Sequence, residues 1–92
     1  MPNVKIPPVL RAQTGGQSMI EAAGEDVGSV LRSLTDEHPT LAKQLFDDAG
    51  ELNRYVNVYL NDEDVRLLDG LGTAANEGDT VVILPAMAGG AA

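Results

Sequence analysis

Apolar and polar residues alternate most clearly over Asn53–Asn61, where Val56, Val58 and Leu60 fall on one face and Tyr55, Asn57 and Tyr59 on the other. A two-residue period of this kind predicts a strand with one buried face. The period changes at Val27, Val30, Leu31 and Leu34, which recur at i, i+3, i+4 and i+7. That spacing predicts a helix with an aliphatic stripe. Asp26 suits the N-cap, although Ser29 stands where a capping box would place Glu or Gln. Pro39 ends the helix by disfavouring α geometry at His38, which is expected to be a surface or capping residue. Thr40–Phe46 predicts a second, short helical segment with Leu41, Leu45 and Phe46 turned inward.

The remaining apolar runs are short. Val4–Leu10 begins with strand-like alternation, and Pro7 and Pro8 confine it to an edge or a bulge. Thr14-Gly15-Gly16 signals a turn, and Gln17–Ala22 reads as the return strand of a hairpin with a long loop. Asn61-Asp62-Glu63-Asp64 predicts a tight acidic turn, and Val65–Leu68 a short strand leaving it. Asp69–Asp79 is a connecting segment with one helical turn. Thr80–Pro85 is a β-branched run bounded by Gly78-Asp79 and Pro85, and reads as a buried strand. The order predicts an α+β domain in which a mixed sheet grips one amphipathic helix, with the first and last strands as parallel central neighbours. The helix stripe would pack on Val4, Ile6, Val56, Val58, Leu60, Val81 and Ile83. Residues 1–85 are expected to form this domain and 86–92 a flexible tail.

Composition narrows the chemistry. With 92 residues the chain supports one domain and one modest core. Aromatics are 3%, so that core is aliphatic. A net charge of -8 disfavours nucleic acid, which needs clustered Lys and Arg, and favours partners with basic docking surfaces. The chain has no cysteine and one histidine, which removes thiolate catalysis, disulfides, Cys-ligated metals and a Ser-His relay. Asp47, Asp48 and Glu51 lack the glycine-spaced loop of a calcium site, and the adjacent acids Asp62–Asp64 cannot converge on one ion. No metal, bound cofactor or catalytic residue is expected. Nothing resembles a membrane span or a signal peptide, so the expected location is cytoplasmic.

Two stretches carry a family likeness. Tyr55–Arg66 reads YVNVYLNDEDVR, and Ile83–Gly90 reads ILPAMAGG. Together with the element order, they resemble the β-grasp, ubiquitin-like sulfur carriers of the ThiS/MoaD superfamily, and within it most nearly the CysO-type carriers. The resemblance implies a carrier that is a co-substrate and not an enzyme. In such carriers an E1-like adenylyltransferase/sulfurtransferase uses ATP to adenylate the C-terminal glycine carboxylate. Sulfide or a persulfide then displaces AMP and leaves a thiocarboxylate. Carried over, the sulfur-bearing terminus is Gly89-Gly90. Five residues beyond Pro85 span up to ~17 Å when extended, enough to place Gly90 in a partner's active site.

Ala91 and Ala92 follow Gly90. A few relatives carry residues after the glycine pair that a JAMM-type metalloprotease removes, so the resemblance implies a processed extension. The alternative is that the two alanines were added to the chain, where they would block activation. By alternation, Tyr59 and Leu84 point away from the helix. These two and Met87 are the expected partner interface, on the face that contacts partner enzymes in the wider family. The acceptor of the sulfur would be a cysteine-synthase-like or other biosynthetic enzyme. Two alternatives stay open: a MoaD-like small subunit of molybdopterin synthase, and a ubiquitin-like modifier or binding module.

Overall fold

The computed structural model describes residues 1–85. The expected tail, 86–92, lies outside the described residues. Five strands form one mixed sheet: β1 (Asn3–Lys5), β2 (Met19–Glu21), β3 (Val56–Leu60), β4 (Glu63–Asp64) and β5 (Thr80–Pro85). The spatial order is β2-β1-β5-β3-β4. β5 runs parallel to β1 and antiparallel to β3, so the first and last strands are indeed parallel neighbours in the middle of the sheet.

Helix α1 (Val27–Glu37) covers one sheet face. Its start follows from Asp26, whose side chain accepts the Ser29 N–H at 2.7 Å. That hydrogen bond, above all, holds the Asp26 carboxyl below its ordinary pKa. The stabilisation is therefore present above the ordinary carboxylate range and is lost as the pH falls through the lower folded value. Val27, Val30, Leu31 and Leu34 are all buried, as their spacing requires. His38 takes the C-cap position and its N–H donates to the Leu34 carbonyl at 2.9 Å. The chain enters α1 through Gly24, where a Cβ would lie 2.5 Å from the Val30 backbone nitrogen and 2.9 Å from Val30 Cγ2. Only a residue without a side chain fits that approach.

The core is aliphatic. Val4, Ile6, Val58, Val81 and Ile83 are fully buried against Leu31 and Leu34 from α1, with Leu41 and Leu45 closing one end. A 3₁₀ turn at Pro39–Leu41 supplies Leu41, and helix α2 (Ala42–Leu45), which follows it, supplies Leu45. Phe46 packs on the cluster from outside, partly buried.

Two segments differ from the strands expected of them. Beyond Lys5 the chain does not remain extended to Leu10; Pro8–Thr14 forms a 3₁₀ helix. Pro7 and Pro8 offer no N–H to a ladder, while proline at the start of a helix loses nothing and supplies the right φ. Thr14 Oγ1 ties the end of this helix back, donating to carbonyl oxygens of the Arg11 and Gln17 backbone. The second correction concerns Val65–Leu68. Asn61 and Asp62 both take positive φ, at 49° and 74°. A two-residue turn with both central residues left-handed returns the chain at once. Glu63 and Asp64 therefore pair with Leu60 and Tyr59. Asp64 Oδ1 then accepts the Arg66 N–H at 2.8 Å and starts a 3₁₀ helix over Val65–Leu67. The acidic stretch is thus half turn and half strand.

The same turn fixes the entry to β5. Asn61 Oδ1 accepts the Thr80 N–H at 3.0 Å, and Asn61 Nδ2 donates to Asp79 Oδ1 at 3.0 Å. Asp79 Oδ2 accepts the Asn76 N–H at 2.8 Å. The Asn76 N–H, then the Asn61 amide, hold the Asp79 carboxyl below its ordinary range. This network sets the register of the strand that leads to the glycine pair.

Candidate functional site

Among the described residues no helix packs on the sheet face opposite α1, and the composition of that face follows from strand parity. Val56, Val58 and Leu60 point to the helix, which leaves Asn57 and Tyr59 on the open side. In β5, Val81 and Ile83 point inward, which leaves Val82 and Leu84 outward. The registers place Met19, Lys5, Val82, Tyr59 and Asp64 opposite one another in a single row across all five strands. In the next row toward the end of β5, Leu84 faces Asn57. Tyr59 is half-buried, while Leu84 and Met19 are 46% and 48% exposed. Tyr59, Val82 and Leu84 thus bring apolar side chains together on one face of a small domain, and exposed apolar groups gathered in this way mark contact surfaces.

The arrangement brings together two of the residues expected at the partner interface. Tyr59 and Leu84 share the open face as diagonal neighbours on paired strands. Met87, Gly89, Gly90, Ala91 and Ala92 lie outside the described residues. The face also holds Val82, which the same alternation places beside Leu84 but which was not among the expected interface residues, and Met19, which the sequence hides. Met19 belongs to a three-residue strand too short to show a period.

At the end of β5 the face becomes polar. Arg66, on the 3₁₀ helix after β4, reaches back to β3: Nη1 donates to Asn57 Oδ1 at 2.9 Å and Nη2 to the Asn53 carbonyl at 3.0 Å. Pro85 pairs with Val56, one residue from Asn57. The guanidinium is thus tied to Asn57, the residue that faces Leu84 across the β3–β5 pairing, at the end of the sheet where β5 finishes. Among the described residues, no group of three His, Cys, Asp or Glu side chains is placed to hold a metal ion. No helix among them is long and apolar enough to cross a membrane. The face offers shape, apolar contact and one anchored cation, which suits recognition by another protein.

Replacing Tyr59 or Leu84 by Asp puts a charge into this contact surface without touching the core. We expect each variant to keep its melting temperature within a few degrees and to lose at least about tenfold in affinity for a partner protein that docks on this face, as measured by calorimetric titration. Unchanged affinity in both would place docking elsewhere.

Comparison with known proteins agrees with this picture. The chain is 47% identical to the sulfur carrier protein CysO of Mycobacterium tuberculosis over 89 residues, covering 95% of this chain and 96% of that one. It is 43% identical over 82 residues to small archaeal modifier protein 3 of Haloferax volcanii, covering 87% and 88%. It also superposes on a chain of the crystal structure of the Amycolatopsis orientalis BexX/CysO complex with a TM-score of 0.88 and 40% identity, covering 94% of this chain and 96% of that one. The five-stranded sheet around α1 is accordingly the β-grasp, ubiquitin-like fold. The model of the ThiS family matches residues 4–90, from the first strand to the second glycine of the pair, and the chain belongs to the ThiS family.

Proposed function

We propose that this chain is a sulfur carrier, loaded at the carboxylate of Gly90 once the peptide bond to Ala91 has been cut. The observation that carries the reading is the family match, which runs through β1, α1 and β5 and ends at Gly90. The likeness to sulfur carrier protein CysO over nearly the whole chain supports it.

The chemistry asks little of the carrier's side chains. The Gly90 carboxylate attacks the α-phosphorus of ATP on an E1-like enzyme, and pyrophosphate leaves. Sulfide attacks the acyl carbon and AMP leaves. Where the attacker is the outer sulfur of an enzyme persulfide, an acyl disulfide forms as AMP leaves. A second thiol of that enzyme then attacks the enzyme-side sulfur, forming a disulfide and releasing the thiocarboxylate. The product is a thiocarboxylate that donates its sulfur to an acceptor enzyme, a cysteine-synthase-like or other biosynthetic synthase. The adenylate makes a poor electrophile reactive, so the carrier supplies an acyl group and a docking face. A chain with no cysteine and one histidine suits that part. Glycine suits the terminus because a backbone without Cβ threads a narrow channel. The open face bearing Tyr59, Val82 and Leu84 would seat the activating enzyme. Met87 would extend that contact along the tail.

Gly90 is followed by Ala91 and Ala92, so its carbonyl is an amide in this chain. A JAMM-type zinc metalloprotease is the class of enzyme we assign to their removal. The test is ATP–pyrophosphate exchange by the E1-like adenylyltransferase. A form ending at Gly90 is expected to support exchange. The form ending at Ala92 is expected to support none until the protease is added. Exchange with the Ala92 form alone would contradict the assignment of Gly90.

A second reading has one observation in its favour, the likeness to small archaeal modifier protein 3. The same acyl adenylate could pass its glycine to a lysine amine instead of to sulfide. Isopeptide-linked conjugates in cells making the Gly90 form would favour that reading. A MoaD-like role in molybdopterin synthase shares the fold and the tail, and would show as binding to the synthase large subunit.

A further inference from the structure

Arg66 stands on the open face and has no part in the chemistry above. Its guanidinium is exposed, yet two hydrogen bonds fix its place, to Asn57 Oδ1 and to the Asn53 carbonyl. Both partners are neutral. They orient the group, and among the described residues no carboxylate pairs with it. A guanidinium carries five N–H donors, and these two bonds use one from each terminal nitrogen. Exposed hydrogen bonds and ion pairs add little to stability, so stability alone is a weak reason to hold a long side chain still. The position is more telling. Asn57 faces Leu84 across the β3–β5 pairing, so the charge is held by a residue of the open face, level with the end of β5, the strand that precedes Gly90 in the sequence.

The charge also runs against the chain as a whole. Six basic residues stand against fourteen acidic ones. General attraction therefore draws this protein to basic surfaces, but a fixed cation level with the end of β5 asks for a carboxylate at one place. A paired charge at an interface sets register and excludes wrong partners more than it adds raw affinity. The planar fork of arginine suits two-point pairing with a carboxylate.

We infer that Arg66 is a specificity-determining contact that pairs with a carboxylate of the activating enzyme beside the entrance to its active site. This rests on the sulfur-carrier reading. Asn57 and Asn53 act as positioning groups that hold the guanidinium toward the partner.

The test uses the Gly90-ending chain in ATP–pyrophosphate exchange with the E1-like adenylyltransferase, at low and at high salt. Arg66→Gln is expected to raise KM for the carrier about tenfold with kcat within about twofold, and to flatten the salt dependence of KM. Arg66→Lys keeps the charge without the fork and is expected to recover the salt dependence and part of the KM. Melting temperatures within a few degrees of the parent would separate contact from folding. An unchanged KM in Arg66→Gln overturns the inference and leaves the sulfur-carrier reading standing. So does a rise of equal size in both variants with the salt dependence intact. Absence of exchange with the parent chain overturns the reading and this inference together.

Discussion

Replacing Gly90 by tryptophan in a chain that ends at residue 90 is expected to slow adenylation by about two orders of magnitude or more, because misplacing a reacting group by about 1 Å already costs that much. A bulky side chain at the acyl carbon's own residue displaces the carboxylate from the α-phosphate of ATP. It also removes the freedom of a residue without Cβ. The melting temperature should not change. The fully buried side chains from Val4 to Ile83 already form the core. Rate and stability thus separate in one variant. A Gly90→Trp chain that exchanged pyrophosphate at the parent rate would mean that the reacting carboxylate is not at this residue. Loss of both rate and stability would mean that the tail belongs to the fold.

The second large effect concerns stability. Leu34 is fully buried, on the stripe of α1 that lies over the sheet, in one cluster with Leu31, Val58 and Ile83. Leu34→Ala removes a buried side chain and leaves a cavity, which costs ~2–5 kcal/mol. Total stabilities of such domains are about 5–15 kcal/mol. The fall in melting temperature should be about 10 °C or more, since each kcal/mol is worth ~4–8 °C in a chain of this size. Thermal and urea melts would measure it. A cost near zero would mean that the helix does not pack through this stripe. The variant should still dock while folded, because Leu34 lies on the face opposite Tyr59 and Leu84.

Much of the fold was legible in the sequence because several local signals agreed. Asp26 before Val27, Val30, Leu31 and Leu34 gives α1 a cap and a stripe at once, and the structure keeps both. The alternation of Val56, Val58 and Leu60 survives intact as the buried side of β3. Errors came where composition and geometry diverge. Val9 and Leu10 are apolar and follow a strand, but Pro8 makes the segment a 3₁₀ helix. Val65, Leu67 and Leu68 look like a strand, but the positive φ of Asn61 and Asp62 spends only two residues on the turn. Pairing is then used up at Glu63 and Asp64. A composition rule sees an acidic turn, and only backbone angles show where it ends.

The candidate site was legible in part for the same reasons. Tyr59 and Leu84 follow from strand parity, which is local, and the β3–β5 pairing then makes them neighbours. Arg66 is different. Its partners lie nine and thirteen residues back along the chain, and no period connects them. The charge was visible as the last letter of a recognisable stretch, but its tie to Asn57 depends on the turn that the sequence left ambiguous.

The central claim is that Gly90 carries sulfur. The most direct measurement is the intact mass of a Gly90-ending chain after incubation with the E1-like enzyme, ATP and a sulfide source. The account predicts a gain equal to one oxygen replaced by sulfur, located by fragmentation at the terminal carboxyl and absent without ATP. A chain that binds the enzyme and consumes ATP, yet keeps an unaltered carboxylate with every sulfur source tried, would contradict it.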